Sequence, residues 1–331
     1  MSETLFRALV VEEAEPKKFV SSIKNRSLDD LPAGEVLVRV HYSALNYKDA
    51  LSSIGNRGVT RNYPHTPGVD ASGVVTASDD PAFKVGDEVL VTSYDLGMNT
   101  DGGLGEFIRI PAAWVVKLPQ QMSMKQAMMF GTAGLTAGLM IDVLVRNGVK
   151  PESGPVLVTG ATGGVGSLAV AILAKAGFEV AAVTGKADAV DFLKSLGADQ
   201  VISRESVIET KRPMLKEQWA GVVDVVGGDM LASALKAARY GAIATCAGLV
   251  GSPELNTSVF PFILRAISLV GIDSAECPMP QRVAVWNKLA GEWKPDCLEA
   301  LTTEISLQEV KAQLAALLQG KAHGHYVVKM A

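Results

Sequence analysis

Short apolar runs separated by proline and glycine characterise the first 126 residues of the chain. Runs of this length with turn-forming residues between them are typical of β-strands. The runs that predict strands are residues 35–42, 69–76, 87–92 and 106–111. Residues 45–53 instead predict one or two turns of helix. Short strands at regular spacing indicate a small β-rich barrel or sandwich.

From about residue 125 the pattern changes, because strand-like apolar runs now alternate with helical segments. The predicted strands are residues 156–159, 179–184, 200–203, 221–226 and 242–247. The predicted helices between them are residues 165–176, 187–196 and 230–238. Near-continuous apolar strands that alternate with helices indicate a doubly wound parallel sheet with helices on both faces.

The last part of the chain loses this alternation. Residues 268–272 predict a further apolar strand, and its late position in the order predicts that it lies at an exposed edge of the sheet. Helices are predicted over 281–290 and 306–319, and a closing strand over 326–330. Since no strand alternates with these helices, we expect the segment to return to the first domain.

Together these patterns predict an α/β protein with a β-rich domain and a parallel-sheet domain. The predicted boundaries are 1–126 for the β-rich domain, 127–275 for the parallel-sheet domain and 276–331 for the returning segment. A length of 331 residues suits two domains, because a domain has roughly 100–200 residues and can then bury a core of its own.

Two stretches, 127–145 and 155–185, are apolar enough to be mistaken for membrane spans. The second is broken by glycines at 160–166 and changes from a strand-like to a helical pattern, which a single spanning helix would not do. We therefore interpret both as buried βαβ structure and expect no membrane association.

Composition places the chain among ordinary globular proteins, with 48% hydrophobic and 20% charged residues and a net charge of −4. Nucleic acids and anionic membranes need a concentrated basic patch, and no run of like charges is present. The three cysteines, Cys246, Cys277 and Cys297, are too few and too far apart for a disulfide framework. The N-terminal residues form no apolar signal core and predict a first strand, so we expect a cytoplasmic protein.

The sharpest local motif is VLVTGATGGVGSLAVAILAKAG, in which a strand runs into a glycine-rich turn and a helix begins at once. Glycines let the backbone approach a pyrophosphate closely, and the helix start offers free N–H groups to its charge. The spacing is GxxGGxG instead of the common GxGxxG. A plain tight turn is the alternative, but the strand before and the helix after favour dinucleotide binding.

The end of the next strand distinguishes NAD from NADP. NAD enzymes usually place a carboxylate there for the ribose 2′-hydroxyl, whereas this chain has Thr184, Gly185 and Lys186. A lysine can neutralise a 2′-phosphate that a carboxylate would repel, so NADPH is favoured. Arg204, just beyond the third strand, is a candidate for the same phosphate, with a solvated surface arginine as the alternative.

These features together resemble the medium-chain dehydrogenase/reductase family over the whole chain. The matching motifs are ALNYKD (44–49), PHTPGVDASGVV (64–75), VGDEV (85–89), GGLGEF (102–107), GTAGLTA (131–137) and LGAD (196–199). The occurrence of all six motifs in this order is very specific for that family. The resemblance implies a GroES-like catalytic domain, a Rossmann cofactor domain and a final return to the catalytic domain.

The chain departs from the zinc-dependent members of that family. Those members have a cysteine where this chain has Asn46, and Gly-His-Glu where it has Gly68, Val69 and Asp70. The four-cysteine lobe is also missing, so the resemblance implies a zinc-free branch with no metal. His323 and His325 are expected to be surface residues in preference to a metal pair.

Within that branch, several motifs resemble the NADPH-dependent acryloyl-CoA reductase group. They are NYKDAL (46–51), RNYP (61–64), TGATGGVGS (159–167), FLKSLGA (192–198), PFILR (261–265) and GIDS (271–274). The resemblance implies cofactor contacts at Tyr47, Thr132, Thr162, Gly163, Gly164, Val165, Thr184, Gly185, Lys186, Arg204, Leu249, Ile263 and Ser274. Related chains carry a polar residue near Gly320, so a side-chain contact is not expected there.

The implied reaction is reduction of the C=C bond of a short 2-enoyl thioester, acryloyl-CoA above all, to propanoyl-CoA. NADPH brings the hydride chemistry, and the protein must supply a hydrogen-bond donor to the thioester oxygen. Tyr47 and Asn46 are the candidate catalytic residues, with water as the alternative proton source. Asp49 is expected to fix the local helix, and Lys48 to be solvated.

Arg57 and Arg61 are candidate contacts for the phosphates of CoA, and the alternative is that both only aid solubility. Two other functions stay open: an NADPH:quinone or general enone reductase, and a non-catalytic NADPH-binding sensor. The apolar strand 268–272 at a sheet edge favours pairing with a second copy, as is usual in the family, so a homodimer is expected.

Overall fold

The computed structural model of the chain describes residues 4–321 and 324–330. These residues divide into two compact units. The first unit comprises the described residues up to Thr132, Ala275–Val283 and the described residues from Thr302 onward. The second comprises Ala133–Ser274 and Ala284–Leu301.

The described chain contains both strands and helices. The strands are β1 (Leu5–Glu15), β2 (Lys18–Ser27), β3 (Val36–Ala44), β4 (Asp70–Ser78), β5 (Glu88–Thr92), β6 (Phe107–Ile110), β7 (Val116–Lys117), β8 (Val156–Val158), β9 (Val180–Thr184), β10 (Gln200–Ser203), β11 (Trp219–Asp224), β12 (Ala238–Cys246), β13 (Ser268–Gly271), β14 (Thr302–Ser306) and β15 (His325–Lys329). The helices are α1 (Tyr47–Ser53), α2 (Met124–Arg146), α3 (Gly164–Lys175), α4 (Val190–Ser195), α5 (Arg204–Val207), α6 (Gly228–Ala237), α7 (Phe260–Arg265), α8 (Met279–Ala290) and α9 (Val310–Leu318).

The first unit is built on a mixed sheet with the strand order β14-β15-β3-β4-β5-β7, and β6 pairs with β3. Only β14 and β15 are parallel to each other; the other pairs are antiparallel. In β3, alternate residues Val36, Val38 and Val40 are buried in one hydrophobic core, as a strand with one buried face requires. Val310 and Leu314 of α9 lie in the same core. The predicted strands are confirmed, and the C-terminal strand β15 pairs with β3 of this sheet.

A two-stranded antiparallel sheet of β1 and β2 also belongs to the first unit. The first strand was expected, but β2 and β14 were not. β2 exposes most of its residues, so its sequence lacks the apolar alternation that predicts a strand. In β14, Ile305 is the one fully buried residue.

The second unit is built on a six-stranded parallel sheet with the order β10-β9-β8-β11-β12-β13. Every residue of β8, β9 and β11 is buried, which explains why their sequences are continuously apolar. The doubly wound parallel sheet predicted from this pattern is confirmed. β13 lies at the edge of the sheet, as expected.

α2 is the longest described helix, and by length and apolar composition it is the only described helix that could cross a membrane. Most of it is buried inside the protein, as in the core helix of a globular unit. Its backbone breaks at Gly131, where φ is 52° and ψ is −156°. The division between the units follows one residue later.

The division of the chain differs from the predicted boundaries in the C-terminal segment. Residues 284–301 belong to the second unit, although the whole of 276–331 was expected to return to the first. The reason is local packing: a Cβ at Gly138 of α2 would lie 2.6 Å from the Val285 side chain. Lys288 also donates a hydrogen bond of 2.8 Å to Asp142.

Candidate functional site

The glycine-rich turn of the second unit joins β8 to α3. Gly160 has a left-handed φ of 57°, and α3 begins at Gly164. A Cβ atom at Gly166 would lie 2.2 Å from the carbonyl oxygen of Gly160, so no side chain fits there. The turn closes onto the first turn of α3, whose N–H groups can receive a phosphate. The turn contains the predicted residues Thr162, Gly163, Gly164 and Val165.

A buried carboxylate supports this turn. The Thr159 hydroxyl donates to Asp224 Oδ1 at 2.6 Å and accepts from the Val225 N–H at 3.1 Å. Gly227 N–H donates to Asp224 Oδ2 at 2.8 Å. Burial raises the pKa of Asp224, although these hydrogen bonds oppose the shift. Sequence reasoning missed Asp224, for which the one available signal is a carboxylate at the end of an apolar strand.

The predicted 2′-phosphate residues lie together at the ends of β9 and β10, where Thr184 pairs with Ser203. A Cβ atom at Gly185 would lie 3.0 Å from Arg204 Nη2 and 3.1 Å from its Cζ. The guanidinium therefore lies directly against the glycine backbone. The Lys186 N–H donates to the Thr184 hydroxyl at 3.0 Å. The Arg204 side chain thus lies against the turn that includes Lys186, and residues 184–186 include no carboxylate.

Of three further predicted cofactor residues, two lie just after the carboxyl ends of neighbouring strands and one lies in a helix. Leu249 follows β12, Ile263 lies in α7, and Ser274 follows β13. Leu249 and Ile263 are 66% and 68% exposed, and Ser274 accepts a hydrogen bond of 2.7 Å from Thr136. In open α/β sheets, ligands bind outside the carboxyl ends of the strands. Leu249 and Ser274 therefore lie at the edge at which a dinucleotide is expected, whereas Ile263 lies in the helix that precedes β13.

In the first unit, the predicted catalytic residues lie at the start of α1. Asn46 is the N-cap of this helix and Tyr47, which is 49% exposed, is its first residue. The buried Asp49 accepts the Asn46 N–H at 2.7 Å. It also accepts the N–H groups of Gly68 and Val69 at 3.1 and 3.0 Å. Asp49 therefore fixes the start of the helix, as expected.

A second buried carboxylate, Asp70, lies at the start of β4. Asn46 Nδ2 donates to Asp70 Oδ2 at 2.7 Å. The Thr132 hydroxyl donates to Oδ1 at 2.6 Å, and the Thr132 N–H contacts both oxygens at 2.9 and 3.0 Å. Ser93 Oγ lies 2.8 Å from Thr132 Oγ1. The structure thus joins Asn46 and Thr132, two residues predicted for different roles, through one carboxylate that sequence reasoning did not single out as functional.

Both carboxylates titrate abnormally. Burial raises the pKa of Asp49 to about 7, against the hydrogen bonds of the backbone N–H groups, and the charge of Asp70 adds to the rise. Burial also raises the pKa of Asp70, against the donors Thr132 and Asn46 and the positive charge of Arg282. Buried carboxylates with raised pKa values are typical of functional sites.

His325 corrects one expectation, because it is 3% exposed instead of lying on the surface. β15 is an inner strand of the mixed sheet, so its inward side chains lie in the core. Burial lowers the pKa of His325 to about 4, against a hydrogen bond with the Met128 backbone. Nε2 is buried without a hydrogen-bond partner in the described part of the chain. His323 lies outside the described residues.

The two candidate CoA contacts differ in their surroundings. Arg57 forms an ion pair with Glu13 at 2.5 Å. Its guanidinium also lies 5.6 Å from the Phe19 ring centroid and 5.1 Å from that of Tyr63. The exposed Arg61 side chain makes no such ion pair among residues 4–321 and 324–330. Gly320, where no side-chain contact was expected, has open space around it.

Two family models match the chain. One, described as "Alcohol dehydrogenase GroES-like domain", matches residues 32–120, and one described as "Zinc-binding dehydrogenase" matches residues 164–287. The AcuI protein of Ruegeria pomeroyi, named an acrylyl-CoA reductase, is 45% identical over 98% of this chain and 99% of its own.

Two solved structures resemble the chain over nearly its whole length. The YhdH oxidoreductase of Salmonella enterica, solved with NADP, has a TM-score of 0.95 and 42% identity, covering 98% of this chain and 100% of its own. The YhfP protein of Bacillus subtilis, solved with NAD bound, has a TM-score of 0.96 and 48% identity, covering 98% of this chain and 99% of its own. YhfP is named, provisionally, as a quinone oxidoreductase.

The zinc implied by one family-model description does not fit these residues. Within 4–321 and 324–330, no group of three or more His, Cys, Asp or Glu side chains is arranged to hold a metal ion. Asn46 points an amide N–H at Asp70, and an N–H donor is not a metal ligand. No step of the chemistry is therefore assigned to zinc.

Proposed function

Starting from the fact that the chain belongs to the medium-chain dehydrogenase/reductase family, in the acryloyl-CoA reductase and quinone oxidoreductase group, we propose that it reduces acryloyl-CoA to propanoyl-CoA with NADPH. That it is an oxidoreductase of this family follows from the full-length relatives. The observation that best supports the proposed substrate is the 45% identity to a named acrylyl-CoA reductase over 98% of the chain.

NADPH is the proposed cofactor because a 2′-phosphate needs cations at the end of the second strand. Lys186 and Arg204 supply two there, and Gly185 leaves room for the guanidinium. The turn at Gly160–Gly166 would hold the pyrophosphate. When bound, NADPH supplies the hydride that is added to the β-carbon of the substrate.

The remaining chemistry belongs to the side chains of the first unit. As the β-carbon gains two electrons and a hydrogen, negative charge moves onto the thioester oxygen, where a positioned donor stabilises it. Asn46 has a second amide N–H beyond the one given to Asp70, and Tyr47 has a hydroxyl. The α-carbon then takes a proton, from Tyr47 or from water. One NADPH and one proton are consumed for each propanoyl-CoA formed.

The proposed substrate is tested by following NADPH oxidation with acryloyl-CoA, crotonoyl-CoA and a benzoquinone side by side. We expect the largest kcat/KM with acryloyl-CoA. A larger value with the quinone would favour the alternative of an NADPH:quinone or enone reductase, which the provisional name of YhfP supports. NADPH binding without turnover of any of the three would favour a non-catalytic sensor.

Arg61 is proposed as the contact for the CoA phosphates, and Arg57 as a side chain whose charge is already balanced by Glu13. We expect Arg61→Ala to lower kcat/KM for acryloyl-CoA about tenfold, as loss of a charged contact does. The same variant should leave a short acryloyl thioester unaffected, and Arg57→Ala is the matched comparison. Equal losses with both substrates would contradict the phosphate role.

We further propose a cytoplasmic enzyme. Cys246, Cys277 and Cys297 are all free thiols, and reducing compartments keep thiols in that form.

A further inference from the structure

The carboxylate of Asp70 receives hydrogen bonds from two sides. On one side Asn46 donates through Nδ2 at 2.7 Å. On the other side Thr132 donates through its hydroxyl and its backbone N–H at 2.6 to 3.0 Å. Asp70 is completely buried. A buried charge is costly unless every lone pair is used, and here several strong donors converge on it.

The direction of each hydrogen bond follows from the chemistry of a carboxylate, which accepts and does not donate. The Thr132 hydroxyl has one proton, and it goes to Asp70. Ser93 must therefore donate to Thr132 across their 2.8 Å contact. Only the nitrogen of the Asn46 amide can face Asp70, so Oδ1 and the second N–H of Asn46 must point elsewhere.

The backbone around this chain of hydrogen bonds is unusual at three positions. Gly131 has a positive φ of 52°, and a Cβ atom there would lie 2.5 Å from Asp70 Oδ2. Ser93 and Tyr94 have φ values of 62° and 51°, in the left-handed region that non-glycine residues rarely adopt. Ser93 is kept in this conformation by its N–H, which donates to Val69 O at 2.7 Å. Such strain concentrates at functional sites.

From this geometry we propose that Asp70 is a positioning residue: it orients the Asn46 amide so that the free N–H meets the thioester oxygen of the substrate. Ser93 and Thr132 hold Asp70 in place from the opposite side. The inference rests on the proposed function, because it assigns Asn46 a role in that reaction. An error of about 1 Å in such a donor can lower the rate a hundredfold.

The test is a double-mutant cycle in kcat on the full-length protein, with Asp70→Asn and Asn46→Ala. An asparagine at 70 has one acceptor oxygen where the aspartate has two, so it cannot serve Asn46 and Thr132 alike. We expect Asp70→Asn to lower kcat about tenfold. In the Asn46→Ala background, Asp70→Asn should lower kcat by less than about twofold, because the residue through which Asp70 acts has been removed.

Two companion variants keep the test decisive. Thr132→Val removes only the hydroxyl donor and should lower kcat about threefold in the wild-type background, with no effect in Asn46→Ala. If Asp70→Asn does not fold, this cycle decides. Ser43→Ala is the matched control, because Ser43 donates at 2.7 Å to the backbone oxygen of Asp70 and not to its carboxylate. Its kcat should stay unchanged.

The outcomes separate this inference from the proposed function. If the losses of kcat caused by Asp70→Asn and Asn46→Ala are additive, or if the folded variants keep the wild-type kcat, Asp70 is not a positioning residue. A wild-type protein that does not oxidise NADPH with acryloyl-CoA overturns the proposed substrate, and the cycle is then measured with benzoquinone under the same criteria. Wild-type protein inactive with both acceptors overturns both proposals.

Discussion

Asn46 is held by two buried carboxylates at once, its backbone N–H by Asp49 and its side-chain amide by Asp70. The sequence neighbours of Asn46 explain only the first contact, since a carboxylate three residues after an N-cap forms a capping box. The second contact joins positions that, in zinc-dependent members of the family, belong to the metal-binding motifs. Here a hydrogen bond connects them.

Tyr47 is the residue whose chemical role is most easily tested. Tyr47→Phe removes the hydroxyl and leaves the ring, so α1 should remain intact. If the hydroxyl donates to the substrate or supplies the proton, kcat should fall by about tenfold or more. A loss below about threefold, under roughly 0.7 kcal/mol, would assign the proton to water.

Asp49 should make the stability of the protein depend on pH. Its folded pKa of about 7 exceeds the ordinary value of 3.8, so the folded state binds the proton more tightly than the unfolded state. The stabilisation is therefore present at low pH and is lost as pH rises toward 7. Between about pH 5 and 7 the loss amounts to about 2 kcal/mol.

Denaturant unfolding of the wild type and of Asp49→Asn at both pH values measures this effect. Asp49→Asn loses a hydrogen-bond acceptor and should be less stable than the wild type at both pH values. Because residue 49 no longer titrates, the free energy of unfolding of the variant should fall less than that of the wild type between about pH 5 and 7. Asp191→Asn, at an exposed position, is the control. Parallel pH dependences in the wild type and Asp49→Asn would contradict the expectation.

At the scale of elements, β9 and β10 bring Gly185 and Arg204 together although the two residues are 19 positions apart in the chain. Strand pairing places Ser203 beside Thr184, and Arg204 follows as the first residue of α5. The sequence indicates each cation separately. Their convergence on one turn depends on adjacent parallel strands ending at the same edge.

This arrangement predicts cofactor selectivity. We expect Arg204→Ala to lower kcat/KM for NADPH by about tenfold to a hundredfold, with NADH changed less than about threefold, because only NADPH carries the 2′-phosphate. Lys186→Ala should act in the same direction. Arg212→Ala is the matched control, since Arg212 is paired with Glu209 at 3.1 Å. Equal losses with both cofactors would exclude a phosphate contact.

At the scale of the whole molecule, β13 ends the parallel sheet with an edge that no other described strand covers. The segment just before it exposes apolar side chains, including Val259 at 64% and Leu264 at 60%. Exposed apolar groups beside an open edge are typical of a surface that pairs with another chain. We therefore propose a homodimer that uses this edge.

Light scattering on the purified protein tests the oligomeric state. The expected mass is twice the 34.8 kDa of one chain. Leu264→Asp should shift the equilibrium toward monomer, because a charge would have to be buried in the interface. Val85→Asp, at an equally apolar position that is 73% exposed in the first unit, should leave the mass unchanged. A monomeric wild type would contradict the proposal.

The sequence by itself determined the elements and their order. Strand and helix periods, the glycine turn and the missing carboxylate after β9 are local features, and local sequence encodes them. The sequence did not predict structure where the local pattern is weak. It did not indicate β2, which is mostly exposed, or the burial of His325, which depends on the inner position of β15 in its sheet.

Only the tertiary structure decided which distant side chains meet. Asn46 and Asp70 are 24 residues apart, and Asp70 and Thr132 are 62 apart. Neither separation follows a period of strand or helix, so no sequence pattern could reveal the contacts. They form because the packing of β4 and α1, with the break at Gly131, places donors around a carboxylate shielded from water, where each hydrogen bond gains strength.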